Sequence, residues 1–208
     1  MDTTHTILIA TTNKDKFNFI REVLINFGFN DSEFLMLCNI RFHGEIAESG
    51  SIQNRSLQKV DAARAFLGNF CDKRRVDLVV GVDDGIFINQ TGKLYTNTHF
   101  ITKKIAEGNF LRKDSVVSIH HAFCFYITKT DEYFNSTTFS LFKYIGSIKQ
   151  IEFKLGEYPL KYVLAYMDQT IPVFKNSNQE ITNRNIQFSE KKIKPIIKKI
   201  IGRLNNQK

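Results

Sequence analysis

A chain of 208 residues is long enough for one domain with a buried core. Its 42% hydrophobic and 24% charged residues are ordinary for a globular protein, and its net charge of +8 favours anionic partners. Three widely spaced cysteines, with no CxxC or Cys/His pattern, argue against a disulfide framework and against a structural zinc site.

No targeting or membrane segment is expected. The apolar stretch near the N-terminus is short and has no basic residues before it, unlike a signal peptide. No stretch approaches the ~18 apolar residues of a transmembrane helix. Together with cysteines that we expect to be reduced, these features predict a soluble protein of the cytoplasm.

The first part of the chain alternates between apolar strands and amphipathic helices. The predicted elements are a strand at 6–10, a helix whose apolar residues recur from 17 to 27, a strand at 33–43, a helix whose apolar residues recur from 57 to 67, and a strand at 76–82. The last of these is a continuous apolar run, which is typical of a strand buried on both faces.

The later part of the chain is richer in β-branched and aromatic runs. The predicted elements are an extended segment at 86–88, a helix at 100–107, strands at 116–128, 137–145 and 162–166, and a helix at 189–204. Pro195 either begins the last helix or kinks it. The order of elements predicts a mixed α/β domain.

The loop after the first strand is the most informative local feature. Thr11, Thr12, Asn13 and Lys16 offer hydroxyl, amide and ammonium donors beside the start of a helix. Phosphate binds such donors, and the helix dipole adds positive potential there. The alternative is structural, because Thr or Asn before a helix commonly serves as an N-cap.

Two adjacent carboxylates, Asp83 and Asp84, stand at the predicted end of the most apolar strand. Such pairs bind Mg²⁺, and one member can deprotonate a water molecule. Alternatively, Asp84 and Gly85 form a hairpin turn between two apolar runs.

Other candidates are single charged residues. Glu48 lies in the loop before the second helix, and Lys59 lies about two turns into that helix. We predict that both face one cleft, where Glu48 binds a metal ion and Lys59 binds phosphate. The alternative is that Glu48 is a solvated loop acid and Lys59 a surface lysine. Lys191 stands at the predicted start of the last helix, whose other basic residues are interpreted as a solvated face. His120 and His121 are adjacent in a strand, so they face opposite sides and cannot share a metal in regular geometry.

Three motifs follow one another in a particular order. They are Ala10–Lys16 (ATTNKDK), Glu48–Gly50 (ESG) with Lys59–Ala62 (KVDA), and Val82–Gly85 (VDDG). They resemble the motifs Ala-Thr-Gly-Asn-x-x-Lys, Glu-Thr-Gly, Asn-Ala-x-x-Lys-Ala and Ala-Asp-Asp-Ser-Gly-Leu of the inosine triphosphate pyrophosphatase (ITPase) family. The first motif also resembles the Ala-Thr-Thr-Asn of inosine/xanthosine triphosphatases.

The resemblance implies a mixed α/β, two-lobed Maf/ITPase-type fold with a central cleft. It implies a single domain over 1–208, a second lobe near 86–165, and a homodimer. The implied reaction is Mg²⁺- or Mn²⁺-dependent hydrolysis of a nucleoside triphosphate, such as ITP, XTP or dITP, to monophosphate and pyrophosphate. The predicted site comprises Thr11, Thr12, Asn13, Lys16, Lys59 and Lys191 for substrate, Glu48, Asp83 and Asp84 for metal, and Asp84 as general base.

The chain departs from the family motifs at four places, and in the family the last two of these motifs recognise the base. Gly85 replaces Ser or Thr, and 93–99 lacks the arginine of Pro-Gly-x-Tyr-Ser-x-Arg. Residues 155–159 lack the aspartate of Gly-Phe-Gly-Tyr-Asp-Pro, and Ser-His-Arg appears as Ser-Glu-Lys at 189–191. The base preference therefore stays open. Two alternative functions are a non-catalytic nucleotide-binding or interaction protein on this scaffold and, with less support, a basic nucleic-acid-binding module.

Overall fold

The computed structural model describes residues 4–42, 46–69, 75–107, 110–146 and 159–206. The helices are α1 (Lys14–Asn26), α2 (Ile52–Asn69), α3 (Thr98–Ala106) and α4 (Asn178–Asn205). The strands are β1 (Thr6–Ile9), β2 (Glu33–Met36), β3 (Leu78–Ile88), β4 (Lys93–Tyr95), β5 (Val116–Ile127), β6 (Glu132–Tyr144) and β7 (Leu164–Tyr166). In these ranges, no helix combines the length and apolarity needed to cross a bilayer.

The strands form one mixed sheet in the order β2-β1-β3-β5-β6-β7, with β4 paired to β3. β1 runs parallel to β2 and to β3, whereas the β3–β4 and β6–β7 pairs are antiparallel. The predicted mixed α/β class is therefore confirmed.

The chain divides into two compact units. The first comprises Met1–Asp83, His121–Thr138 and Asn185–Lys208, and the second comprises Asp84–His120 and Phe139–Arg184. The second unit contains α3, β4 and β7, and its side-chain contacts include an aromatic row of Phe87, His120 and Phe139.

The core of the first unit lies on both faces of its strands. Ile7 and Ile9 of β1 belong to a cluster with apolar residues of α1 and of the C-terminal part of α4. Leu8 and Ala10 belong to a second cluster with Val60 and other apolar residues of α2. Since alternate residues of a strand face opposite sides, β1 is covered by helices on both faces, which explains its uninterrupted apolar sequence.

Several predicted boundaries are wrong, including the start of β6, which lies at Glu132 and not at 137. The strand predicted at 33–43 ends at Met36, and a 3₁₀ turn follows at 37–40. β3 continues through Asp83 and Asp84 to Ile88, so these residues neither end a strand nor form a hairpin turn. α4 begins at Asn178, which places Lys191 and Pro195 in its interior, and the interpretation of Pro195 as the helix start is wrong.

The buried thiol of Cys124 provides a direct test of this core. Its solvent exposure is 0%, and burial, assisted by the charge of Asp61, raises the pKa of the thiol to about 12. Because the thiolate is the reactive form, a variant that retains only Cys124 is expected to resist Ellman's reagent at pH 8 until urea unfolds it. A variant that retains only the exposed Cys38 is the control and should react at once. Equal reaction rates for the two native variants would contradict the packing of this core.

Candidate functional site

The candidate site lies where β1 ends and β3 continues. Ile9 of β1 is opposite Val80 of β3, and the backbone N–H of Ala10 donates to the carbonyl of Val80 over 2.8 Å. β1 stops there, so Asp83, three residues further along β3, projects just beyond its carboxyl end. Ligand sites commonly form at the carboxyl ends of parallel strands.

The loop after β1 is held by its own polar side chains. The backbone N–H of Asn13 donates to Oγ1 of Thr11 over 3.1 Å, and the N–H of Lys16 donates to Oδ1 of Asn13 over 3.0 Å. Asn13 is thus the N-cap of α1, which confirms the structural interpretation of this residue. The cap uses the side-chain carbonyl of Asn13, and the positive end of the α1 dipole lies at the same loop.

A cleft of about 410 Å³ opens above this loop. Its lining includes six of the predicted site residues, Thr11, Thr12, Asn13, Lys16, Glu48 and Lys59. Ala10, Leu37 and Ile46 complete the lining. Lys191, which the sequence placed with the substrate-binding group, is exposed within α4 and does not line this cleft.

Lys59 occupies the inner wall of the cleft and is 8% exposed. Its Nζ donates to Oδ1 of Asp83 over 2.6 Å and to the backbone carbonyl of Val82 over 3.1 Å. The same ammonium lies 3.1 Å from Oε1 of Glu48. Lys59 therefore joins two carboxylates that come from the loop before α2 and from β3.

Gly81 allows α2 to bring Lys59 this close to β3. A Cβ atom at residue 81 would lie 2.2 Å from the backbone oxygen of Ser56 and 2.8 Å from Cγ2 of Val60. Since no side chain fits in that space, a glycine is required where the helix crosses the strand.

The loop that carries Glu48 is fastened to α2. The backbone N–H of Ser49 donates to Oε1 of Gln58 over 2.9 Å, and Nε2 of Gln58 donates to Oγ of Ser49 over 3.2 Å. Gly50 then turns the chain into α2 with a φ of +79°, a conformation that favours glycine. These contacts fix the Glu48 carboxylate beside Lys59.

Arg55 belongs to the same charged cluster as Lys59, Glu48 and Asp83, and the sequence prediction missed it. It precedes Lys59 by four residues on α2, so both side chains lie on one helix face. Its Nη1 lies 3.5 Å from Oδ2 of Asp83 and 3.9 Å from Oε2 of Glu48. The helical spacing from Lys59 was the available signal.

Asp83 and Asp84 differ in burial and in the compact unit to which they belong. Asp83 is 5% exposed and is joined to the cluster in the first unit, whereas Asp84 is half-buried and belongs to the second unit. Neighbouring residues of a regular strand face opposite sides. Of the two carboxylates, Asp83 is therefore the one that the geometry unites with Glu48 and Lys59.

The oxygen ligands of the cluster fit a Mg²⁺ ion that is completed by substrate. Oδ2 of Asp83 is buried and has no hydrogen bond, and its nearest cation is Nη1 of Arg55 at 3.5 Å, so a metal ion would bind this oxygen in competition with the guanidinium. Nowhere in the described part of the chain do three or more Asp, Glu, His or Cys residues gather as a metal cage. Mg²⁺ does not require one, because it commonly uses one or two carboxylates, phosphate oxygens and water.

The fold and the cleft can now be compared with known proteins. No protein-family model and no curated protein matches this sequence. Among solved structures, the chain is similar to the Ham1 protein of Staphylococcus aureus, with a TM-score of 0.58 and 15% identity over 88% of this chain and 94% of the other. It is also similar to a nucleoside-triphosphatase, dITP/XTP pyrophosphatase, of Mycobacterium abscessus, with a TM-score of 0.51 and 15% identity over 86% and 90%.

The chain has the fold of these two proteins. This confirms the predicted ITPase-type fold across most of the chain, well beyond the first 100 residues that carry the sequence motifs. The segment at 147–158, which contains most of the stretch compared with Gly-Phe-Gly-Tyr-Asp-Pro, lies outside the described residues.

Proposed function

We propose that this chain hydrolyses a nucleoside triphosphate to a monophosphate and pyrophosphate. The observation that carries the proposal is the cleft in which the donor loop of Thr11–Lys16 stands beside Lys59 and Glu48. The similarity in fold to a dITP/XTP pyrophosphatase supports the same class of substrate.

The donors of the cleft suit a polyphosphate. Thr11, Thr12 and Lys16 supply hydroxyl and ammonium groups, and the first N–H groups of α1 add the positive end of a helix dipole. Lys59 supplies a buried ammonium that an incoming phosphate can share with Asp83 and Glu48. In a partly dry cleft such charges stabilise the negative charge that develops during cleavage of a phosphoanhydride.

We assign Glu48 and Asp83 to the binding of Mg²⁺ or Mn²⁺. That Asp84 also binds the ion is implied by the resemblance alone and stays a prediction. When bound, the ion supplies charge neutralisation on the phosphate oxygens. Asp84 is assigned as the general base that takes a proton from the attacking water, an assignment that comes from its place in the Asp-Asp motif. The homodimer, the cytoplasmic location and a substrate contact from Lys191 likewise come from the sequence alone and stay predictions.

A pyrophosphate-release assay tests the proposal. ITP, XTP, dITP, dUTP and the standard triphosphates are each supplied with Mg²⁺ or Mn²⁺, and release is expected from at least one of them. Asp84→Asn is expected to lower that release by at least about 100-fold, the usual scale for loss of a general base. Asp31→Asn, which removes an exposed carboxylate outside the cleft, is the matched control and should leave release unchanged. Absence of release from every triphosphate with both ions would refute the activity.

One observation favours the second candidate, a nucleotide-binding protein without hydrolysis. Within the part of the chain that the structure describes, the carboxylates of Glu48 and Asp83 already face two protein cations, Lys59 and Arg55, without a metal ion. Calorimetry distinguishes the two functions, because tight nucleotide binding without pyrophosphate release is expected only of the second.

A further inference from the structure

Four charged side chains of alternating sign form a cluster beside the cleft: Glu48, Lys59, Asp83 and Arg55. Lys59 contacts one oxygen of each carboxylate, at 3.1 Å from Oε1 of Glu48 and 2.6 Å from Oδ1 of Asp83. Arg55 lies nearest to the other oxygen of each, at 3.9 Å from Oε2 of Glu48 and 3.5 Å from Oδ2 of Asp83. Each carboxylate is therefore held between an ammonium and a guanidinium.

The two cations have different positions relative to the cleft. Lys59 and Glu48 line it, whereas Arg55 and Asp83 are not among its lining residues. Arg55 contacts the same two carboxylates as Lys59, so it can influence a ligand in the cleft through Glu48 and Asp83.

We propose that Arg55 is a positioning residue that keeps the affinity of Glu48 and Asp83 for a divalent cation low until a polyphosphate is bound. This inference rests on the function proposed above, because it concerns the same carboxylates. It adds a residue and a form of control that the motifs of the chain do not contain.

The physical reason is the charge balance of the cluster. Among the described residues, the carboxylates of Glu48 and Asp83 face the cations of Lys59 and Arg55, so a divalent cation must compete with both of these protein cations. These side chains are between 8% and 26% exposed, so solvent screens the competition less than it would on an open surface. A polyphosphate in the cleft brings its own negative charge and competes for the ammonium of Lys59. The ion and the polyphosphate are therefore expected to bind together.

The test is a Mn²⁺ titration of the full chain without nucleotide, followed by electron paramagnetic resonance of the unbound ion. Arg55→Gln removes one positive charge and is expected to tighten Mn²⁺ binding by about tenfold or more, the scale of a neighbouring charge in a partly buried site. Arg55→Lys keeps the charge and should remain within about threefold of the unmodified protein. Arg21→Gln, an arginine paired with Glu22 on the exposed surface, is the matched control and should change nothing.

A double variant makes the explanation specific. Arg55→Gln combined with Glu48→Gln removes one charge of each sign and also one proposed ligand of the ion, so the affinity for Mn²⁺ is expected to fall at least about tenfold below that of Arg55→Gln alone. Arg55→Met keeps most of the length of the side chain and has the same expected gain as Arg55→Gln, should the glutamine variant fail to fold.

Two results would overturn the inference. One is unchanged Mn²⁺ affinity in a folded Arg55→Gln or Arg55→Met protein. The other is absence of Mn²⁺ binding to every variant at millimolar concentration. Either result concerns the ion in the nucleotide-free protein, whereas the proposed hydrolysis is decided separately by release of pyrophosphate from the unmodified chain.

Discussion

Replacement of Lys59 by methionine is expected to lower the free energy of unfolding by about 3 kcal/mol. The substitution leaves Asp83, which is 5% exposed, and the partly buried Glu48 with Arg55 as their remaining cation in the cluster. Removing one partner of a buried ion pair is costly, because the carboxylate that remains has lost both its water and its hydrogen-bond donor. The same variant is expected to lose at least about 100-fold in pyrophosphate release, since a cationic donor of the cleft is gone.

Urea denaturation of three variants and of the unmodified protein tests the stability effect. Lys59→Met is compared with the double variant Lys59→Met/Asp83→Asn, in which the orphaned charge is also removed. The double variant should be more stable than the single one, because a neutral amide costs less to bury than an unpaired carboxylate. Lys198→Met, which changes an exposed lysine of α4, is the control and should lie within about 0.5 kcal/mol of the unmodified protein. A single variant as stable as this control would show that Lys59 does not hold the cluster together.

The apolar pattern predicted the helices and strands that bury a continuous face. β1, α1 and α2 fall near their predicted positions, because their apolar residues recur with strand or helix spacing and contact the two clusters of the first unit. The start of α4 was missed because its first ten residues are mostly polar. A local signal did exist, since the N–H of Glu180 donates to Oγ of Ser177 over 3.2 Å, and Ser177–Glu180 has the Ser-x-x-Glu spacing of a capping box.

The early end of β2 has a local cause that hydrophobicity does not encode. Oδ1 of Asn39 accepts a hydrogen bond of 2.7 Å from the backbone N–H of Met36, which helps to form the 3₁₀ turn. Asparagine side chains compete with strand pairing in this way, although the residues around them are apolar. A pattern of apolar residues alone therefore predicted too long a strand.

The site shows which inferences need tertiary structure. The loop at Thr11–Lys16 and the pair of Lys59 with Glu48 could be proposed from the sequence, because both stand next to predicted element ends. The continuation of β3 through two aspartates could not be predicted from the sequence, because Asp has a low strand propensity. The cations that compensate the charge of Asp83, Lys59 and Arg55, lie more than twenty residues earlier in the chain. For the same reason Arg55 was identifiable only as a neighbour of Lys59 on one helix face.

Gly81→Ala is the second variant with a large expected effect. The new methyl group would lie 2.2 Å from the backbone oxygen of Ser56 and 2.8 Å from Cγ2 of Val60, so α2 must move away from β3. We expect a loss of about 3 kcal/mol in the free energy of unfolding, at the upper end of typical overpacking costs. Because α2 carries both Lys59 and Arg55, the shift also separates the two cations from Asp83, and pyrophosphate release should fall with the stability.

Gly68→Ala is the matched control for this substitution. Gly68 lies near the end of α2, and outside its own helix backbone and chain neighbours no atom of the described residues lies within 4 Å of the added methyl group, so alanine should stabilise the helix by about 0.5–1 kcal/mol. The opposite signs expected for the two variants separate a steric effect from any general effect of replacing glycine. A Gly81→Ala protein with unchanged stability and unchanged pyrophosphate release would mean that α2 does not need the close contact with β3 to place Lys59 beside Asp83.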